Sequence, residues 1–385
     1  MIVPWKNISR FTAKFIKQPE YAINVAIKRS QAFLSHYLGN GKSALPEAVT
    51  LFLTYKCNLR CKMCGQWGES GVTKTKDKED VKEELSFEEL KKIVDDMSFF
   101  KPGITLFGGE PLLYPACLEL IRYIKQKNMH VLMITNAAMI KGRAAEFAQA
   151  GLDELNVSLD GSEKLHDTIR GMPGLFKNIT EGLKELKSYK QEKRLKKPLV
   201  NLQCTITKYN YLHLEELLDV AFDIGANSLT FHNLIFLGKD LIEKQKTYDE
   251  QLQCSSSGWD GFVFEPEIDA DKLFSKMQEI KNRKTSFAVD FYPNLSLKGL
   301  REYYNNPSYK PSEYPRRCLS PWICAYVFPD GDVRPCLNST YAFGNITEDK
   351  FSNIWNSEKA VRFRKSLKKS ELFPICVRCT ELYRY

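Results

Sequence analysis

Cys57, Cys61 and Cys64 are spaced Cys-x-x-x-Cys-x-x-Cys, directly after an apolar, β-like stretch at 49–54. Three thiolates on so short a loop can hold three corners of an iron–sulfur cube and leave the fourth iron without a protein ligand. An open iron is a place where a small molecule binds and is reduced, whereas a structural metal site is normally closed by four ligands. A zinc knuckle or three unrelated buried cysteines are the alternatives. A knuckle needs a second cysteine pair to complete its tetrahedron, and the next cysteine downstream, Cys117, stands alone.

Cys318, Cys324, Cys336, Cys376 and Cys379 form a second group. Between Cys324 and Cys336, two β-like runs flank Asp330-Gly331, a hairpin signal that brings those two thiols near each other. Residues 357–370 read as a helix that returns the chain to Cys376 and Cys379. Taken alone, this segment also permits a zinc-ribbon-like site. Cys117, Cys204 and Cys254 are scattered and read as small core or surface residues.

A chain of 385 residues can bury a large core and suggests about two domains. Its 43% hydrophobic and 27% charged residues match a soluble globular protein. No stretch has the roughly 18 to 20 apolar residues of a membrane span, and the first 18 residues lack the apolar core of a secretory signal. A disulfide framework belongs to small secreted chains, so clustered thiols here are expected to be reduced, available for metal, and cytoplasmic. Of the net charge of +9, residues 1–45 hold seven cations against one acid. A helix at 7–18 would separate Ile8, Phe11, Phe15 and Ile16 from Arg10, Lys14 and Lys17. That pattern fits either a helix packed on the domain with a solvated basic edge or peripheral contact of residues 1–20 with an inner membrane face. Nucleic acid is not expected as a partner, since no helix-turn-helix or aromatic RNA-binding pattern is present.

β-like and helix-like segments alternate from residue 49 to about 235. Strands are expected at 49–54, 103–107, 130–134, 153–159, 199–207 and 227–235. Helices are expected at 86–98, 112–127, 141–150, 174–190 and 211–224, the first with a capping box between Ser86 and Glu89. Such alternation implies a parallel sheet covered by helices, with functional loops at the strand carboxyl ends. Cys57, Gly108, Thr135, Ser158 and His232 all fall there. Residues 70–85 read as a charged loop and 239–268 as an irregular loop, both flanking the opening.

The cysteine run, Phe107-Gly108-Gly109-Glu110-Pro111 and Asn156-Val157-Ser158-Leu159-Asp160-Gly161 together resemble the radical S-adenosylmethionine (radical SAM) superfamily, over about residues 48–235. The carboxyl-terminal cysteines resemble its SPASM/Twitch extension. The resemblance implies an α/β fold: a partial (β/α)6 TIM-like barrel at 48–238, a basic extension at 1–47, a bridging region at 239–314, and a small cysteine-rich domain at 315–385. It implies a [4Fe–4S] cluster on Cys57, Cys61 and Cys64 whose open iron chelates S-adenosylmethionine. Met63, Gly108, Gly109, Glu110, Ser158, Asp160 and Arg170 would bind that cofactor. Met63 departs from the aromatic residue common before the third cysteine. Gly108 and Gly109 would let backbone approach the ligand, and Arg170 would fork onto the methionine carboxylate. One auxiliary [4Fe–4S] cluster would use Cys318, Cys336, Cys376 and Cys379, with Cys324 as an alternative ligand.

Reductive cleavage would then give a 5′-deoxyadenosyl radical that takes hydrogen from an unactivated carbon. The electron would come from a donor such as flavodoxin or ferredoxin. The substrate is expected to be a small molecule or lipid-linked, because residues 1–48 are short for a leader-binding module. A peptide is the alternative, and a non-catalytic zinc-binding protein is the alternative of another class. His232, Asn233, Asp290 and Tyr292 are candidates to face the substrate.

Overall fold

The computed structural model describes residues 18–384. The basic helix expected at 7–18 therefore lies almost wholly outside the described residues. Ten strands form one open sheet in the order β10-β9-β8-β1-β2-β3-β4-β5-β6-β7. They are β1 (Ala48–Phe52), β2 (Gly103–Phe107), β3 (Val131–Thr135), β4 (Glu154–Ser158), β5 (Leu199–Thr205), β6 (Ser228–His232), β7 (Ala288–Tyr292), β8 (Cys324–Val327), β9 (Asp332–Arg334) and β10 (Gly344–Asn345). From β8 through β1 to β7 every pairing is parallel, and only β8–β9 and β9–β10 are antiparallel.

Period-two alternation explains both faces of the sheet. Val49, Leu51, Leu155 and Val157 are almost fully buried on one face. Their neighbours Thr50 and Asn156 point into the hollow of the sheet, where they line a cavity. Helices Phe87–Met97, Cys117–Gln126, Ala144–Gln149, Leu175–Glu192 and Glu216–Ile224 follow the first five strands. The first begins with the expected capping box: Ser86 N donates to Glu89 Oε2 at 2.7 Å and Glu89 N to Ser86 Oγ at 3.3 Å.

Two features extend the expected six-stranded barrel. A seventh parallel strand, β7, comes from the bridging region, and the carboxyl-terminal hairpin joins the same sheet through β8 on β1. The gap between β7 and β8 is spanned by the end of the chain, where Tyr292 Oη donates to the Thr380 carbonyl at 2.6 Å. Residues 239–268, expected to be irregular, open with helix Lys239–Leu252. Its charged sequence hides the apolar period, yet Leu241, Gln245 and Leu252 are buried. Long polar side chains are good helix formers, so propensity rather than patterning carries this element. Helix Glu163–Arg170, also absent from the expected set, ends at Gly171 with φ 73°, a left-handed cap that favours glycine.

Candidate active site

The Cys57–Cys64 loop leaves the carboxyl end of β1 and is held by the β2 loop. Gly109 N donates to the Thr54 carbonyl and Glu110 N to the Lys56 carbonyl, both at 2.8 Å. A Cβ on Gly109 would lie 2.3 Å from the Lys56 oxygen, and one on Gly108 would lie 2.6 Å from the Thr54 oxygen. Both glycines thus let the β2 loop approach the lead-in to the cysteine loop; the tight partner in the structure is the chain's own backbone.

Glu110 is buried, and burial raises its carboxyl pKa against the opposing hydrogen bonds from Thr135, Asn136 and Leu112. Those bonds come from Thr135 Oγ1 at 2.7 Å, Asn136 N at 2.8 Å and Leu112 N at 3.1 Å. Asn136 Nδ2 in turn donates to Asn58 Oδ1 at 2.8 Å, inside the cysteine loop. Glu110, Thr135 and Asn136 therefore lock three strand-end loops into one unit, and the free lone pairs of Glu110 are what remain for a ligand.

Asp160 and Arg170, expected as separate ligand contacts, meet each other. Arg170 Nε donates to Asp160 Oδ2 at 2.5 Å, while Thr205 N donates to Asp160 Oδ1 at 2.8 Å. The Asp160 carboxylate thus holds a cation in place, and a role toward ribose would have to share it. Arg170 Nη1 reaches to 3.6 Å from Cys61 Sγ. Burial alone would lower the Arg170 pKa, but the charge of Asp160 and of Cys61 raises it above its ordinary value. Ser158 ends β4 opposite Gln203 and is half-buried, and Met63 packs half-buried beside Cys64.

Sequence reasoning missed three supports of the thiol loop. Trp67 N donates to Cys64 Sγ at 3.3 Å, and its indole Nε1 donates to the Tyr55 carbonyl at 2.7 Å. The Arg60 guanidinium stacks 4.3 Å from the Trp67 ring while donating to the Cys57 and Leu59 carbonyls. Gly65 faces the Phe262 ring, and Gly261 faces the Gly65 carbonyl, so closely that a Cβ on either would clash. The Ser257–Phe262 turn thereby roofs the cysteine loop. Its other side is tied to the carboxyl-terminal segment, where Thr340 N donates to the Ser255 carbonyl at 2.8 Å. The glycines at 65 and 261 were the available signal.

Burial raises the pKa of Cys57 to about 11, with the neighbouring charges of Cys61, Glu110 and Cys64 adding to it. Burial likewise raises Cys318, Cys336 and Cys379, and the mutual charges of these thiols and Cys376 raise them further. Clustered thiols kept protonated by burial are a donor set that metal would deprotonate. Among the described residues no three His, Cys, Asp or Glu side chains close around a single ion position. One ion requires its sulfurs about 2.3 Å from a common centre, whereas a cube takes one thiolate per iron at separate corners. Three thiols on one loop, and further cysteines facing them across the sheet, are donors of the kind iron–sulfur clusters take.

A cavity of about 1120 Å³ occupies the hollow of the sheet. Phe107, Gln66 and Phe262 line it next to the cysteine loop, and Cys318, Cys324, Cys336, Cys376 and Cys379 line its far wall. Asn156, Gln203, His232, Asp290 and Tyr292 face it between these ends. His232 Nε2 lies 2.6 Å from Gln203 Oε1. Asn233 does not face it: its amide donates to the Pro293 carbonyl and accepts from Tyr304 Oη, in a buried structural role.

His166 orders the β4 loop. Its Nδ1 accepts the Asp160 N–H at 3.1 Å, which places the ring proton on Nε2. Burial first, then the charge of Arg170, lowers its pKa to about 3. The folded value lies below the unfolded one, so the unfolded chain binds the proton first. His166 therefore stabilises the fold fully above about pH 6.5 and loses that contribution as pH falls toward its folded pKa. Between pH 6.5 and 5 the loss is expected to be about 2 kcal/mol at 1.36 kcal/mol per unit. Anaerobic denaturation of wild type and His166→Asn across that range should show the smaller pH slope in the variant.

An open, mostly parallel sheet with a three-thiol loop after its first strand and a group of cysteines across its hollow has the donor sets of an iron–sulfur protein. Residues 51–221 match the radical SAM superfamily, and residues 318–380 match the SPASM iron–sulfur cluster-binding domain. The chain belongs to the radical SAM superfamily, in its SPASM-bearing group, and is an enzyme that uses S-adenosylmethionine, a [4Fe–4S] cluster and an auxiliary iron–sulfur cluster. It is 27% identical over 341 residues to the AdoMet-dependent heme synthase of Methanosarcina barkeri, covering 87% of this chain and 88% of that one. It is 23% identical over 354 residues to the cofactor-modifying protein of the tungsten-containing aldehyde ferredoxin oxidoreductase of Pyrococcus furiosus, covering 86% of each. The fold resembles Streptococcus suis SuiB bound to S-adenosylmethionine with a TM-score of 0.61 at 16% identity, over 88% of this chain and 72% of that one.

Proposed function

We propose that Cys57, Cys61 and Cys64 hold the open cube and that Cys318, Cys336, Cys376 and Cys379 hold the auxiliary cluster, with Cys324 outside the quartet. Cys318, Cys336 and Cys379 each feel the charge of Cys376; Cys324 also acts on Cys336, but its thiol is held 3.0 Å from Ser320 Oγ and 3.8 Å from Glu381 Oε2, which supports leaving it out. On this reading residues 48–238 form the radical domain, 239–314 the bridge and 315–385 the auxiliary domain, preceded by 1–47. S-adenosylmethionine at the open cube supplies a radical able to take hydrogen from an unactivated C–H bond. The chain's part is to hold a substrate carbon there and exclude water: Phe107 and Phe262 flank the cysteine-loop end, and the auxiliary thiols stand across the same space, where the cluster they would hold could accept the electron given up by a substrate radical. An electron carrier such as flavodoxin or ferredoxin supplies the initiating electron.

The substrate class follows from the cavity wall, which carries this reading. Amide and hydroxyl groups of Asn156, Asn201, Gln203 and Thr230 interrupt a largely apolar wall, and Glu154, Asp249, Asp290 and Glu381 outnumber Lys281 and Arg384. A substrate with several carboxylates, as porphyrins have, would meet excess negative charge there. A small, uncharged, hydrogen-bonding molecule fits, and net oxidation or bond formation is the outcome an electron-accepting cluster favours. The test is 5′-deoxyadenosine release by anaerobically reduced enzyme given metabolite pools separated by charge and size. Stimulation by the neutral small-molecule pool is expected. Stimulation confined to the acidic pool or to peptides would overturn the substrate class.

A further inference from the structure

Helix Pro19–Leu38 has an inverted surface. Ala22, Val25, Ala32 and His36 are buried on its inner side. Ile23, Ile27, Leu34 and Leu38 recur at intervals of four and seven residues, which places them on one outward face, joined by Tyr37. These five side chains are 47% to 81% exposed. A surface helix ordinarily presents polar residues to water. Contiguous exposed apolar side chains mark a surface that something covers.

The surroundings of this face are cationic. Helix Glu358–Ser370 packs against its carboxyl-terminal end: Val361 and Lys365 lie over Gly41, and Lys368 Nζ donates to the His36 and Tyr37 carbonyls at 2.7 and 3.2 Å. That helix carries six cations against one acid, and Lys359, Arg362, Lys365, Lys368 and Lys369 are exposed. Lys42 is exposed beside it. In sequence, residues 1–17 add Lys6, Arg10, Lys14 and Lys17 and no acid. Apolar residues on one helix face with lysines around it are the two components of interfacial binding: side chains enter the acyl boundary while the cations meet anionic headgroups. A neutral partner would leave the cations unmatched, whereas an anionic bilayer matches both the apolar face and the cations.

We infer that the Ile23–Leu38 face docks this enzyme peripherally on an anionic lipid bilayer. Among the described residues no helix is long and apolar enough to cross a membrane, so the attachment lies in the interface. The test is co-sedimentation of the full chain, reconstituted with iron, with vesicles of phosphatidylcholine alone or mixed with phosphatidylglycerol. Wild type is expected to bind the anionic vesicles and to release at high salt. Leu34→Glu/Leu38→Glu and, separately, Lys365→Glu/Lys369→Glu should each weaken binding about tenfold or more. All four positions are exposed, and unchanged iron content and melting behaviour certify the fold of each variant. Absence of binding to anionic vesicles, or equal binding by wild type and both variants, overturns the inference. A wild-type dimer that Leu34→Glu/Leu38→Glu dissolves, without vesicle binding, also overturns it and assigns the face to a second copy.

Discussion

Cys61→Ala is expected to abolish 5′-deoxyadenosine release and to lower bound iron from about eight to about four per chain. Cys61 is the buried member of its loop and the one that Arg170 approaches, so its loss removes both a corner thiolate and the sulfur beside the guanidinium. Cys336→Ala tests the other set: about four irons should again be lost, while the open cube keeps its three thiols. Cofactor cleavage then survives and product formation does not. Cys324→Ala separates the two ligand assignments, because the Cys324 thiol also has Ser320, Tyr326 and Glu381 as neighbours. It should retain about eight irons. Iron analysis with electron paramagnetic resonance of the reduced protein reads all three variants. Loss of auxiliary iron in Cys324→Ala, with retention in Cys336→Ala, would reverse the assignment.

The six strands of the radical domain were legible because buried parallel strands are short apolar runs between turn signals, and each expected segment overlaps an observed strand. The seventh was not. β7 reads Ala288-Val-Asp-Phe-Tyr292 and follows a polar region, so its pairing with β6 depends on a neighbour far away in sequence. The same holds for β8, whose parallel partner β1 lies more than 270 residues earlier. Motif spacing located the thiols and the loop glycines, since spacing is a local property. It could not say what each loop residue touches. Gly109 is needed against Lys56, Glu110 binds Thr135 and Asn136, and Asp160 is occupied by Arg170. Those contacts join separate strand ends, and only the closed fold brings them together.

Asp160→Asn is expected to destabilise the protein by about 3–5 kcal/mol, because it leaves a buried guanidinium without its counter-charge. The Asp160 side chain is fully buried and that of Arg170 is 11% exposed, so solvent does little to screen the loss. The amide oxygen can still accept from Thr205 N, but its NH2 then faces the Arg170 Nε–H, so the hydrogen bond to the guanidinium is lost with the charge. Removing both charges should cost less than removing one. Asp160→Asn with Arg170→Leu is therefore expected to regain part of the stability, and the double-variant cycle should report strong coupling. Activity should behave differently from stability. Only the double variant removes the cation held 3.6 Å from the Cys61 sulfur, so cofactor cleavage should fall further there than in the single variant, whose guanidinium remains. Anaerobic denaturation and 5′-deoxyadenosine release measured on the same preparations check the two expectations. A single variant as stable as wild type would mean that Arg170 finds another anion or reaches water. In that case the ion pair would hold neither the β4 loop nor the guanidinium at the cluster sulfur.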